Sequence, residues 1–488
     1  MKGFNSMHTK KLFWKSISAF LLAACISFGS FIQTSYAEED LMDFAKEAGY
    51  PIKDGYQPKA SIVIDAESGQ ILWADQPDLA WHPASIAKIM TMYLAFEAME
   101  QGKFTLDTTV VANEKYVNIS QIYALSNNKI TLGIDYPVRD LLSMMIVPSS
   151  NVATLMVANL VSDNDEAAFI HKMNEKAAEL GMTNTTYYNS SGAQVSAFEG
   201  FYQPEGIDPN GDNLSTARDL AILTYNLIKK YPDVLTYTSQ PVVTTMKDTP
   251  YAETFETYNY SLPGAKYGYG GVDGLKTGSS PSGGFNYIAT AKKGDVRLIE
   301  VILGVGDWSD QEGEYERHLA GNAILDHAFS TYEHKKLLSK GSNTINQENI
   351  ILDEDFYGFV KQNSEPRFAL SNGQLTLDNE LGQVSPNIPA QSVHYQQSNQ
   401  KSADTQTDKQ AKQKKIQQAP TEKRDHNYLL SGSLAALGIL LIAFSRLFRK
   451  RISGVRRGSR KTSTTTSRLL CTLGALLILS AVIVIIFL

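Results

Sequence analysis

Cysteine is nearly absent, with 2 in 488 residues, Cys25 and Cys471, each inside an apolar run near a chain end. The stretch between them can hold no disulfide framework and no thiolate metal site, and thiol redox chemistry is excluded. Histidine is sparse as well, 8 residues, and none stands in a His-Glu cluster with zinc spacing, which argues against a metallopeptidase. Basic residues are short where the chain is longest. From Glu38 to Ser330 there are 39 acidic against 20 basic residues, a net charge of −19. Such a charge repels phosphate backbones and argues against any nucleic-acid role. The far end has the opposite shortage: Asn427 to Leu488 carries 9 basic residues and no acidic one. No internal repeat occurs. Aromatic residues, by contrast, are plentiful, with 24 Tyr and 20 Phe. A disordered chain would have far fewer.

Residues 1–37 read as a secretory signal: Lys2, Lys10, Lys11 and Lys15, then a largely apolar Ile17–Ile32, then Ser35-Tyr36-Ala37 at cleavage spacing. Leu22-Ala23-Ala24-Cys25 also resembles a lipoprotein box, although apolar sequence continues past it. Residues 427–448 and 469–488 form two runs close to the ~20 residues that span a bilayer. The basic loop 449–468 between them belongs on the cytoplasmic side. The expectation is a body at the extracytoplasmic face of the cell membrane, held by two C-terminal spans; the alternative is that one run lies in the interface.

The body, residues 38–332, begins with a hairpin pattern over Ala60–Asp75. Ser85–Met99 follows, apolar nearly all round, as a buried helix. Arg139–Leu160 and Asp163–Leu180 read as two further helices, the second capped by Ser162, and another opens with Ser215 as N-cap. Phe285–Ala291 and Val296–Val305 read as strands around a Lys292-Lys293-Gly294-Asp295 turn, with helix again over Gly321–Tyr332. This order predicts an α/β (α+β) fold, an antiparallel sheet with helices on its faces. Residues 333–395 alternate without helical period and read as a small all-β domain. Residues 396–426 hold almost nothing apolar and read as a flexible polar linker.

Three short motifs occur in order: Ser85-Ile86-Ala87-Lys88, Ser149-Ser150-Asn151 and Lys276-Thr277-Gly278. Each alone is weak. Ser-x-x-Lys recurs at Ser126–Lys129 and Ser398–Lys401, and Ser-x-Asn at Ser126–Asn128 and Ser162–Asn164; these read as decoys, in a polar loop, the linker and a helix cap. Placement favours Ser85. A serine on the first turn of a buried helix lies at the positive end of the dipole, and a lysine three residues on reaches its hydroxyl. To act as a base, Lys88 must lose a proton that a free lysine holds to a pKa of about 10.4. Burial lowers that value. A second ammonium at about 5 Å adds roughly 3 kcal/mol at an effective dielectric of about 20, and Lys276 could supply it.

As an ordered set, these motifs resemble those of the active-site serine penicillin-recognising enzymes, and within them the low-molecular-mass D-alanyl-D-alanine carboxypeptidases. Gly271–Gly278 is similar to that family's lysine-bearing strand, and Thr216-Ala217-Arg218-Asp219 to another of its segments. The resemblance implies a β-lactamase/transpeptidase-like catalytic domain, then a small β domain and a membrane anchor. It implies no cofactor, peptidoglycan stem peptides ending in D-Ala-D-Ala as substrate, and β-lactams as covalent inhibitors. By the same resemblance Ser85 is the nucleophile, Lys88 its base and Ser149 a proton relay. Asn151, Lys276, Thr277, Gly278, Ser279 and Arg317 would bind substrate, Lys276, Thr277 and Arg317 at its carboxylate and Ser279 through its backbone N–H. A second reading makes Arg317 a surface ion pair among Asp310, Glu312, Glu314 and Glu316. Ser279 departs from the histidine many members carry there. The glutamate motif of class A β-lactamases is missing between Asn151 and Lys276, while a DD-endopeptidase or a membrane-bound penicillin sensor stays open. Asp208–Asn213 with Asp219 partly mimics a calcium loop but has Asn213 where glycine belongs. His82 reads as structural.

Overall fold

The computed structural model describes residues 40–379 and 382–398. The expected signal segment, the linker beyond Ser398, the basic loop and both apolar runs lie outside them. Among the described residues no helix is long and apolar enough to cross a membrane.

Along the chain, α1 (Leu41–Glu47) precedes the hairpin β1 (Ala60–Asp65) and β2 (Ile71–Asp75). A 3-10 turn, Ala84–Ala87, runs directly into α2 (Lys88–Glu100). A helical layer follows: α3 (Glu114–Ser120), α4 (Val138–Ile146), α5 (Asn151–Val161), α6 (Glu166–Leu180) and α7 (Ala217–Lys230), interrupted by the small hairpin β3 (Thr109–Val111) with β4 (Asp135–Pro137). The single turn α8 (Leu235–Thr238) and the hairpin β5 (Val242–Thr245) with β6 (Glu253–Glu256) lead to β7 (Val272–Ser280), β8 (Gly284–Lys293), β9 (Val296–Val305) and α9 (Gly313–Thr331).

Five strands pair antiparallel in the order β2-β1-β9-β8-β7. Strand side chains alternate between faces, and here both faces are covered. Ile62, Ile64, Ile288, Ile299 and Val301 pack with α2, α5 and α7, while Val63, Tyr287 and Ile302 pack with α1 and α9. That double cover explains why β8 and β9 read as nearly unbroken apolar runs. α2 is the centre of the larger core. Lys88 through Ala95 are all buried, so the helix has no solvent face until its last turns.

Four local expectations change. Arg139–Leu160 is two helices, because Pro148 has no N–H to continue α4; the chain turns at Ser149, φ 60°, and Ser150 caps α5 by accepting from the Ala153 N–H. Ser162 closes α5, and Asp165 caps α6. Thr216, one residue after Ser215, caps α7 through the Asp219 N–H. The last helix starts at Gly313, eight residues ahead of the sequence reading, with Glu314 and Glu316 in the first turn where a helix favours acids.

Strands β10 (Tyr332–Leu338), β11 (Gly341–Ile345), β12 (Glu348–Leu352), β13 (Phe356–Lys361), β14 (Phe368–Ser371), β15 (Gln374–Leu377) and β16 (Ser392–Gln397) build an all-β unit around Ile350, Leu352, Phe356, Leu375 and Val393. Its segment Gly382–Ile388 returns to the β1–β2 hairpin. There Ile71 N–H donates to Gly382 O, and Val384 N–H to Gly69 O.

Candidate active site

The 3-10 turn lifts Ser85 to partial exposure while Ile86, Ala87 and Lys88 go inward. Ala84 holds φ 50°, a left-handed conformation that an L side chain rarely adopts. Lys88 is buried completely, yet its amine has three partners. Nζ stands 2.9 Å from Ser85 Oγ and donates to Asn151 Oδ1 at 2.9 Å and to the Ser191 carbonyl at 2.7 Å. The first and second motifs therefore meet at one nitrogen. Burial, and after it the charge of Lys276, pushes the Lys88 amine well below the ordinary lysine value. That is the direction a general base needs.

The third motif lies on β7, which runs beside the Ser85 turn. A Cβ on Gly278 would stand 2.5 Å from Pro83 O and 2.9 Å from Ile86 N, so only glycine lets the strand approach this closely. Lys276 is buried and donates to Thr277 O at 3.0 Å. Burial, then the Arg317 charge, lowers it to about 7. Arg317 is not on a surface ion pair. It is 1% exposed, extends from the start of α9 beneath β7, and donates to Ser279 Oγ at 2.8 Å. Glu316 pairs instead with Lys53. Burial pulls the guanidinium down to about 10. Glu314 offsets part of that cost through its charge, but no carboxylate is paired directly with the guanidinium among the described residues. Ser149 is buried in the break between α4 and α5, and its Oγ has no hydrogen-bond partner among the described residues.

Three supports were not found from the sequence. Ser126, set aside as part of a decoy, gives its carbonyl to both the Asn151 N–H (2.8 Å) and Nδ2 (3.0 Å), so the decoy loop orients the second motif. Ser191 lies in a polar run, Asn189-Ser190-Ser191-Gly192, with neither helical nor strand period. Backbone carbonyls leave no trace in residue type, and the Asn-Ser-Ser-Gly run was the one available signal. His318, buried beside Arg317, meets Ser261 Oγ at 3.0 Å. The calcium-like loop has another use: Asp219 accepts from Asn184 N–H and Thr185 Oγ1, and Asn213 turns inward. His82 bonds backbone, its Nδ1 3.1 Å from Asn213 O.

A serine at the mouth of a turn, an amine with depressed basicity on its hydroxyl, and two cationic side chains on the facing strand and helix define a serine enzyme working by acyl transfer. The chain belongs to the D-alanyl-D-alanine carboxypeptidase family, which matches residues 48–307, while a family described as a domain of unknown function matches residues 334–396. Among curated relatives, D-alanyl-D-alanine carboxypeptidase DacF of Bacillus subtilis is 29% identical over 59% of this chain and 67% of its own length. DacC of Escherichia coli is 32% identical over 50% of this chain and 56% of its own. The chain thus aligns with roughly half to two thirds of these relatives. The crystal structure of a peptidoglycan synthesis regulatory factor (PBP3) from Streptococcus pneumoniae superposes with TM-score 0.60 at 26% identity, covering 70% of this chain and 98% of that one. Penicillin-binding protein 5 of Haemophilus influenzae shares the fold, with TM-score 0.54 at 23% identity.

Proposed function

We infer that the protein is a serine-type D-Ala-D-Ala carboxypeptidase that trims peptidoglycan stem pentapeptides and is acylated by β-lactams. The observation that carries this reading is the Lys88 amine, buried, lowered in basicity and 2.9 Å from Ser85 Oγ. Ser85 Oγ attacks the carbonyl between the two D-alanines as its proton passes to neutral Lys88. The backbone N–H groups of Ser85 and Ser279 receive the developing oxyanion. Ser149, whose hydroxyl has no other partner among the described residues, relays the proton to the leaving amine, and D-alanine departs. Water then clears the ester. Asn151 and Thr277 align the peptide, Gly278 admits it close to the turn, and Lys276 and Arg317 face its terminal carboxylate. The acidic body, the basic loop and the apolar runs support a place on the outer face of the cell membrane, anchored at the C-terminus.

The test is release of D-alanine from a peptide ending in Lys-D-Ala-D-Ala, with Ser85→Ala as control. Release by the parent and none by the variant is expected. Intact cells given the same peptide, which does not cross the membrane, should release D-alanine if the body is outside. Penicillin labelling at Ser85 without release would instead point to an endopeptidase or a sensor.

A further inference from the structure

The proton on Lys88 has a direction, and that direction is set by residues outside the three motifs. A neutral amine has two N–H bonds and one lone pair. Two of the three atoms around Nζ, Asn151 Oδ1 and Ser191 O, can only accept. Both N–H bonds are therefore taken, and the lone pair is left facing Ser85 Oγ. Asn151 is held by the Ser126 carbonyl. Ser191 O is a backbone atom, so its position depends on the turn that carries it.

We propose that Asn213 and Asn189 are positioning residues that lock the Asn189–Gly192 turn, fixing Ser191 O and with it the direction of the Lys88 lone pair. Both side chains are fully buried. Asn213 Oδ1 accepts from the N–H groups of Tyr188 (2.7 Å) and Asn189 (3.1 Å), and its Nδ2 donates to Asn189 O (3.1 Å) and Oδ1 (3.2 Å). Asn189 Oδ1 then accepts from Gly192 N–H at 2.6 Å, closing the turn from its far side. The two carbonyls at its apex go to α2: Ser190 O accepts from Thr91 Oγ1 at 2.7 Å, and Ser191 O from Lys88. The same turn presses on the nucleophile. Gly192 has φ 91°, and a Cβ there would stand 2.0 Å from Ala84 O and 2.6 Å from Ser85 N. Asn213 is tied back to that segment as well, its carbonyl 3.1 Å from His82 Nδ1, while His82 O accepts from Asn286 Nδ2 on β8. One pair of amides thus holds base and nucleophile against each other.

This inference rests on the acyl-transfer reading, and penicillin acylation at Ser85 tests it apart from the natural substrate. In the full chain, Asn213→Ala and Asn189→Ala should lower the acylation rate constant about 10- to 100-fold, the scale of an ångström of misplacement. The non-covalent dissociation constant should move less than about threefold. Asn210→Ala, an exposed position in the same loop, should match the parent. Equal losses in binding and acylation, or no loss, would overturn the proposal. The Gly192 amide of the parent offers a readout free of any folding defect: slow exchange with solvent deuterium is expected, and fast exchange would also overturn it. A parent that is acylated but releases no D-alanine would sink the carboxypeptidase reading and leave this comparison standing. A parent that is not acylated at all would sink both.

Discussion

Lys276 and Lys88 are two buried amines in one site; burial lowers both, and the charge of Lys276 lowers Lys88 further, as the charge of Arg317 does Lys276. Among the described residues Lys276 pairs with no carboxylate, and its value of about 7 means the folded protein gives up a proton that the unfolded chain keeps to about 10.5. Between those two values the unfolded state binds more protons, so stability rises with pH across that window. Below about 7 both states are protonated and the folded one bears the full cost of the buried charge. Lys276→Met removes that cost. The melting temperature should rise at pH 6, and the gain should fade towards pH 10.5, as thermal unfolding at the two pH values will read. The same change relieves Lys88 of a neighbouring cation and raises its pKa. The acid limb of penicillin acylation should then shift to higher pH even as the variant loses carboxypeptidase activity. A site residue whose removal stabilises the fold is the usual sign of strain kept for function. The chemistry of these residues was legible in the sequence because it depends on side-chain type at fixed local spacing: Ser85 and Lys88 are one turn apart and needed no tertiary information. Arg317 was half legible, since the sequence left open a place near the substrate carboxylate and a surface ion pair. Only the start of α9 eight residues early, which puts it under β7, decides between them.

At the scale of elements, the site is where β7 and the Asn189–Gly192 turn come unusually close to the Ser85 turn, while the start of α5 brings Asn151 to Lys88. Gly278 sits at the first of these approaches. The atoms its missing Cβ would strike, Pro83 O and Ile86 N, are backbone and cannot swing aside. Gly278→Ala must therefore move β7 away from the serine turn. The protein should still fold, because β7 is an outer strand of the sheet and keeps its pairing to β8. Acylation by penicillin should fall about 100-fold, with near-normal circular dichroism; an active Gly278→Ala would mean that the approach is looser than its distances. Such approaches are what the sequence shows least. Strands β8 and β9 and the buried α2 follow from hydrophobic pattern. The helix break at Pro148 was signalled by proline alone, and the continuous apolar run on both sides masked it. The Ser126 loop reads as polar filler because its contribution to Asn151 is a carbonyl.

The two domains of the described chain are joined twice, and the second joint is the more informative. The first is direct continuity, α9 into β10 at Thr331–Tyr332, which needs no particular side chain. The second is the returning segment Gly382–Ile388. It pairs with Gly69–Ile71, where the hairpin turn enters the edge strand β2, and so satisfies backbone groups at the start of that edge. It also carries Val384 and Ile388, which are buried in the larger core of the catalytic domain and not in that of the β domain. The catalytic side is shaped to receive them. Gly69, with φ 72°, has no room for a Cβ, which would stand 2.7 Å from Ile388 Cγ2, and Gly181, closing α6, packs on Asn387 in the same way. Arg218 Nη1 donates to Val384 O. These contacts bury side chains of the β domain in the core of the catalytic domain, so the β domain is expected to contribute to the catalytic domain's stability. Ile388→Ala removes a buried side chain at the joint and should cost about 2–5 kcal/mol. If the joint couples the domains, that cost appears as a lower melting temperature of the penicillin-binding unit itself, in one cooperative transition. Fluorescent penicillin retained on heating reads the catalytic domain, and calorimetry reads the whole. Two separate transitions, with only the β domain's lowered, would show instead that the returning segment rests on a catalytic domain already complete without it.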